Sequence, residues 1–194
     1  LEKFMSGKPI AEQEIGMALL SDMVAYAETS VSRRKFILHY FGENFDNETD
    51  EGGQMDDNMR FPKKKFEAKK DLFLLLNTVK ETKELYKSKE LVKTLLGEAN
   101  ALIKSHKTDK LSVFGSGKSK DSQFWMALIR QALIKGYLKK EIEAYGLISI
   151  TLTGKDFIKS PVSFMMTEDH DYKETDEDQI SRKKSKLILD DTLM

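Results

Sequence analysis

The 194 residues suffice for one large domain or two small ones. Apolar residues supply 40 % and charged residues 33 %, a modest core under a heavily charged surface; Lys plus Arg and Asp plus Glu are 32 each, and this balance excludes a uniformly basic nucleic-acid coat. Cysteine is absent, which removes disulfides, thiol nucleophiles and thiolate zinc sites together, and three histidines (His39, His106, His170) leave little material for a His-rich metal site. No apolar run approaches the ~18 residues of a membrane span, and no signal-peptide pattern opens the chain. A soluble, cytoplasmic protein with no membrane partner is expected. The start at Leu1 leads to the expectation of a segment cut from a longer chain.

In chain order, Ile15, Leu19, Met23 and Tyr26 recur at helical spacing and predict a helix from Ala11 to about Thr29. A second helix is expected over Ser32 to Phe41, with Phe36, Ile37, Tyr40 and Phe41 on one face and Gly42 ending it. Glu43 to Asn58 is acidic and aperiodic and reads as a loop. Leu72, Leu75, Leu76 and Val79 follow the i, i+3, i+4, i+7 pattern of a buried helical face. Ser88 is placed to cap a short helix with Leu91, Val92, Leu95 and Leu96 inward, stopped by Gly97. A further helix is predicted from about Ser122 to Lys135, on the stripe Phe124, Trp125, Leu128, Ile129, Ala132 and Leu133. The period then changes to two. Ile148, Ile150 and Leu152 alternate with polar residues, and Tyr137 to Ile142 precedes them across a turn near Tyr145 and Gly146. Three helices followed by a two-stranded hairpin is the order of a winged helix.

Charge is segregated along this order. From Glu43 to Asp57 there are seven acids and no base; from Arg60 to Lys140 there are 20 Lys/Arg against 8 Asp/Glu, a local excess of +12; from Glu168 to Asp178 seven acids face the single Lys173. Within the basic segment Lys104, Lys107, Lys110, Lys118, Lys120, Lys139 and Lys140 lie before the third winged-helix helix, at its start and at the wing base. In a winged helix those places share one side. A phosphate-contacting surface is expected there, giving affinity without a sequence code. Arg130, between core positions Ile129 and Leu133, is expected to brace the fold.

The run from Ser112 to Ser119 approximates a nucleotide phosphate loop, but Ser112 stands where the first Gly is needed and no βαβ context surrounds it. Nucleotide binding is set aside. Gly115 and Gly117 with Lys118, Ser119 and Lys120 are instead expected to meet a DNA phosphate at a helix N-terminus. Tyr145, at the wing tip, has two readings: it packs on its own hairpin, or it stacks on an exposed terminal base pair for ~1–3 kcal/mol.

Three stretches carry a family resemblance: Arg33-Arg34-Lys35-Phe36-Ile37-Leu38-His39-Tyr40-Phe41-Gly42-Glu43, Asp109 to Lys118 (DKLSVFGSGK), and Phe124-Trp125 through Ile129-Arg130-Gln131. In this order and spacing they resemble the C-terminal region, called RQC, of RecQ-family DNA helicases. The resemblance implies a mainly α structure: a helical platform (1–60), a winged-helix DNA-binding domain with a β-hairpin wing (61–164), and a charged linker (165–194) towards an accessory HRDC domain. It implies forked or duplex DNA as partner, with Lys104, Lys110, Ser112, Gly115, Gly117, Lys118, Ser119, Lys120, Lys139, Lys140 and Tyr145 as candidate contacts. ATP, Mg and 3′-to-5′ unwinding, in repair and recombination at the nucleoid, would belong to motor domains of the same chain outside this segment. No catalytic residue is expected here.

The family's platform holds zinc through one Cys before Arg-Arg and a later C-x-x-C-x-x-C. The matching positions here read Ser32, Gly52, Met55 and Asn58. Neither Met nor Asn replaces a thiolate on zinc, so zinc is not expected. The helices are then expected to be clamped by apolar contact, Phe36, Tyr40 and Phe41 facing Leu19, Met23 and Tyr26. A second departure is Leu96-Gly97-Glu98, where many relatives place Arg before the Gly. The competing readings are a free-standing winged-helix transcriptional regulator, whose recognition helix would need Arg, Asn or Gln on its exposed face, and a wing and acidic tail that dock proteins without DNA. The face offered by Lys120, Gln123 and Met126 is a thin base code, which favours the helicase segment.

Overall fold

The computed structural model describes Gly7 and residues 9–172 except 47, 142 and 143. The platform opens with helix α1 (Ile10–Glu28), preceded by Pro9, and α2 (Arg33–Tyr40). Ser32 caps α2, its Oγ accepting the Lys35 amide at 3.2 Å. A one-turn helix α3 (Asp57–Arg60) follows, capped by Asp56 through the Met59 amide at 3.1 Å. It lies at the end of the stretch read as loop, because one turn with a polar cap leaves no apolar period to detect.

The winged helix begins with a two-residue strand β1 (Phe66–Glu67), then α4 (Lys69–Glu81), α5 (Ser88–Leu96), α6 (Ala101–Ser105) and a 3-10 turn (Thr108–Lys110). Helix α7 (Ser122–Ile134), strands β2 (Leu138–Glu141) and β3 (Leu147–Ile150), helix α8 (Leu152–Lys159) and strand β4 (Met165–Met166) complete it. β2 and β3 form the antiparallel wing, pairing Leu138 with Ile150 and Glu141 with Leu147; β4 returns to pair with β1, Phe66 opposite Met166. The predicted residues of α4, α5 and α7 form the core, with Leu72, Leu75, Leu76, Leu91, Leu95, Trp125 and Leu128 removed from water, closed by Leu138, Ile148 and Phe157. The architecture is therefore mainly α, a helical platform followed by a winged helix.

Several expectations are corrected. Leu152 is not the last residue of a strand. The Thr151 hydroxyl accepts the Gly154 amide at 3.1 Å and starts α8, leaving Leu152 exposed; a cap overrides the alternation that runs into it. The apolar clamp of the platform is also not as expected. Tyr26 meets Phe36 edge to face at 5.9 Å, whereas Leu19, Met23, Tyr40 and Phe41 are exposed. Residues 165–172, assigned to the linker, pack as a strap across platform and winged helix. Ser30 Oγ lies 2.6 Å from Thr167 Oγ1, the Gln131 side chain donates to the Thr167 carbonyl at 2.6 Å, and the His170 amide donates to the Glu28 carbonyl at 2.7 Å. Ile142 and the remainder of the acidic tail, 173–194, lie outside the described residues.

Candidate nucleic-acid interface

Helix α7 would be the base-reading element of a helix-turn-helix regulator, but its Ala127–Ala132 stretch is buried throughout. Arg130 has the bracing role expected from its position. Its guanidinium donates to the Ala25 carbonyl at 3.2 Å, and Nη2 stands 3.0 Å from both Glu28 Oε2 and Asp169 Oδ2. Asp169 is fully shielded, and burial pushes its carboxyl up while Arg130 opposes that shift. One face of α7 is thus covered by the platform and the strap. What α7 leaves at least partly in water at its N-terminal end is Ser122, Gln123, Phe124 and Met126.

The glycine loop is built for packing. Gly97 ends α5 in the left-handed conformation (φ +74°), and a Cβ there would come within 3.1 Å of the Gly115 Cα. The Gly115 and Gly117 amides donate to the Thr94 and Leu95 carbonyls, each at 2.8 Å, and Trp125 Nε1 donates to the Gly117 carbonyl at 3.0 Å. These amides face the end of α5, so both donors are taken by the fold and neither N–H is offered to an external phosphate. The loop instead carries Lys118 across Gly97 and Gly115 to the surface, with Ser119 and Lys120 exposed beside it. Ser112, also predicted as a contact, donates its hydroxyl to the Glu81 carboxylate at 3.2 Å.

The predicted lysines divide by their partners. Lys140 Nζ pairs with Asp22 of α1 at 2.9 Å and Lys139 Nζ with Glu141 at 2.9 Å. Glu141 also accepts the Ser149 hydroxyl at 2.7 Å, and these two donors hold its carboxyl below the usual range. Lys120 Nζ lies over the Phe124 ring at 4.8 Å from its centroid. Lys104, Lys107, Lys110 and Lys118 are exposed and form no ion pair with any described carboxylate. Among the predicted lysines they are the ones most open to an external phosphate.

Tyr86, which the sequence reading missed, joins that basic segment to the wing. Its hydroxyl lies 2.6 Å from Thr108 Oγ1, its ring stacks on His106 at 5.6 Å, and its carbonyl accepts the Ile148 amide of β3 at 2.9 Å. Glu84, two residues earlier, accepts the Ile150 amide at 3.1 Å. Lys83 and Glu84 turn through positive φ (+55° and +59°) to make this grip, a conformation that propensity does not announce at such residues. At the wing turn Tyr145 is 81 % exposed at φ +56°, with no described ring stacked on it. Of its two readings, packing on its own hairpin is the weaker.

The four family metal positions do not form a zinc-ligand set. Ser32 Oγ donates to Asp56 Oδ2 at 2.7 Å. Asn58 donates from Nδ2 to the Thr29 and Val31 carbonyls, both at 2.8 Å, and its Oδ1 lies 2.7 Å from His170 Nε2. A Cβ at Gly52 would stand 2.1 Å from Arg34 Nη1, so a guanidinium fills the space of a ligand side chain there. Met55 is exposed. A hydroxyl, a carboxamide, a thioether and a glycine beside a cation do not fit Zn²⁺.

Two family models match the chain. A family model for the RQC domain matches residues 62–175, and one for the RecQ zinc-binding region matches residues 1–55. The chain is 26 % identical over 170 residues to an ATP-dependent DNA helicase RecQ of Pasteurella multocida (strain Pm70), covering 86 % of this chain and 26 % of that protein. It is 27 % identical over 161 residues to an ATP-dependent DNA helicase RecQ of Haemophilus influenzae, covering 82 % and 25 % respectively. The chain therefore spans about a quarter of the length of the curated relatives it matches.

Proposed function

The chain belongs to the RQC domain family, as the C-terminal region of a RecQ-like helicase, and from that premise we propose that it is the non-catalytic module that holds duplex or forked DNA for the helicase motor. The observation that carries this reading is the joint anchoring at Tyr86. One residue fixes both the segment bearing Lys104, Lys107 and Lys110 and the strand leading from the wing tip. Backbone phosphates along a duplex would be met by these lysines and Lys118, while Tyr145 abuts the terminal base pair. Recognition is then by shape and charge, because the lysines would meet backbone phosphates while the outward part of α7 offers only Gln123 and Met126 to base edges. ATP hydrolysis, Mg and 3′-to-5′ unwinding belong to motor domains of the same chain, in DNA repair and recombination in the nucleoid-bearing cytoplasm. Among the described residues no helix is long and apolar enough to cross a membrane.

Fluorescence anisotropy with forked, blunt and single-stranded DNA tests the proposal. The expected order is forked or blunt duplex above single strand, with no dependence on sequence. Sequence-dependent binding, or no binding to any duplex at low salt, would overturn it.

A further inference from the structure

We infer that this platform is a metal-independent form of the family's zinc-binding region, with the Asn58 carboxamide tying together the chain segments at the former metal positions. Asn58 stands at the position matched to the last cysteine, and it is 3 % exposed. Its two N–H bonds go to the carbonyls of Thr29 and Val31, in the corner between α1 and α2. Both hydrogens being used there, Oδ1 is left as the acceptor, so His170 Nε2 carries the proton in the 2.7 Å contact between them. One side chain therefore ties three separate pieces of chain: the α1–α2 corner, α3 and the C-terminal strap.

Ser32, at the position of the first cysteine, adds a second cross-link. Its hydroxyl gives its hydrogen to Asp56 at 2.7 Å while accepting the Lys35 amide, so α2 and α3 are joined through their caps. Arg33 extends the seam, donating from Nε and Nη2 to the two Asp57 carboxylate oxygens at 2.6 and 2.9 Å and from Nη1 to the Tyr26 carbonyl at 2.8 Å. Arg34 reaches the Gly52 backbone, where a ligand's Cβ would otherwise lie. A metal cation beside that guanidinium would be repelled. The seam joins the same elements that a metal would join, with no thiolate available to be oxidised and no metal to be stripped.

The first test is made on the full chain purified without chelator. Elemental analysis is expected to find well below one zinc per chain, and the melting temperature is expected to be unchanged by EDTA. Stoichiometric zinc, or a melting temperature lowered by EDTA, would overturn the inference. The second test separates the carboxamide's donors from its volume. Asn58→Asp keeps the shape but turns lone pairs towards two carbonyls, so it should lower the melting temperature at neutral pH at least as much as Asn58→Ala, by roughly 4–10 °C. If either variant does not fold, His170→Ala removes only the third bond and should lower the melting temperature by roughly 2–4 °C. A native melting temperature for Asn58→Asp, or for His170→Ala where that variant replaces it, would overturn the clamp.

Discussion

The Tyr86 carbonyl accepts the Ile148 amide at 2.9 Å while its hydroxyl, at the other end of the same residue, lies 2.6 Å from Thr108 Oγ1. A buried residue thus sets the spacing between the wing and the basic turn, whose anchored residues Thr108 and Ile148 are 40 positions apart in sequence. Rigid spacing suits a surface that must match two points of a duplex at once, since a loose pair would lose ordering entropy on binding.

Tyr86→Phe should therefore uncouple the two without emptying the core. It leaves Thr108 Oγ1 buried without its partner, at a cost of about 1–2 kcal/mol in urea denaturation. Tyr86→Ala opens a cavity and should cost about 3–5 kcal/mol. For Tyr86→Phe, duplex affinity should fall beyond what the small loss of folded population explains. An affinity unchanged in the folded fraction would mean that the two surfaces act separately.

The division of the lysines gives a salt prediction. If Lys104, Lys107, Lys110 and Lys118 each neutralise one phosphate, log K falls with log salt at a slope near ~−3.6. Lys118→Ala should reduce the magnitude of the slope by about one and weaken all duplex sequences alike. Lys140→Ala should have a smaller effect, because Lys140 is already paired with Asp22 and must leave that carboxylate to bind. Equal losses for the two variants, measured by anisotropy titration across salt, would refute the division.

How far the sequence carried this picture depends on the length scale of each signal. Leu72, Leu75, Leu76 and Val79 announce α4 because a buried helical face repeats within one segment, and Gly97 marks a helix end through its own conformation. The wing was legible from alternation up to Ile150, then missed its end at Thr151, where one hydroxyl starts a helix. The β1–β4 pair was not legible, since two residues hold no period and the partners are about 100 positions apart. In the site, the lysines could be located by order alone. Which of them remain open could not, because the ion pair of Lys140 with Asp22 spans 118 positions. The loss of the thiolates was plain at Ser32, Gly52, Met55 and Asn58; the hydrogen bonds made at those positions depend on His170, far outside any motif.

Arg130 provides a test of the strap with a defined pH sign. Arg130→Ala leaves the shielded Asp169 carboxylate without its cation, a loss of about 3–5 kcal/mol at neutral pH. Burial raises the Asp169 carboxyl above its ordinary value, and removal of Arg130 raises it further. In the folded variant the proton is then held at pH values where the unfolded chain has released it. The folded state binds more protons, so stability declines as pH rises through the folded value and is recovered on acidification. Urea titrations at about pH 7.5 and about pH 5 should therefore show a smaller deficit for Arg130→Ala at the lower pH. A deficit independent of pH would assign the loss to packing and not to the stranded charge.

Tyr145 gives the sharpest test of the wing. Its backbone sits at φ +56°, where an L-residue costs roughly 1–2 kcal/mol relative to glycine, and its side chain is almost wholly in water. Neither fact helps the fold. Tyr145→Gly should consequently be as stable as the native chain or slightly more so, and Tyr145→Ala should lie within about 0.5 kcal/mol of it. The ring's contribution would arise on DNA, where stacking on the last intact base pair is worth ~1–3 kcal/mol. In the full-length helicase, Tyr145→Ala should leave ATPase activity unchanged and slow strand separation, because the motor still pulls while the exposed pair loses its stacking partner. The Tyr145→Phe variant, which keeps the ring, should retain native unwinding. Native unwinding by Tyr145→Ala would instead assign the wing to phosphate contact alone, through the lysines at its base.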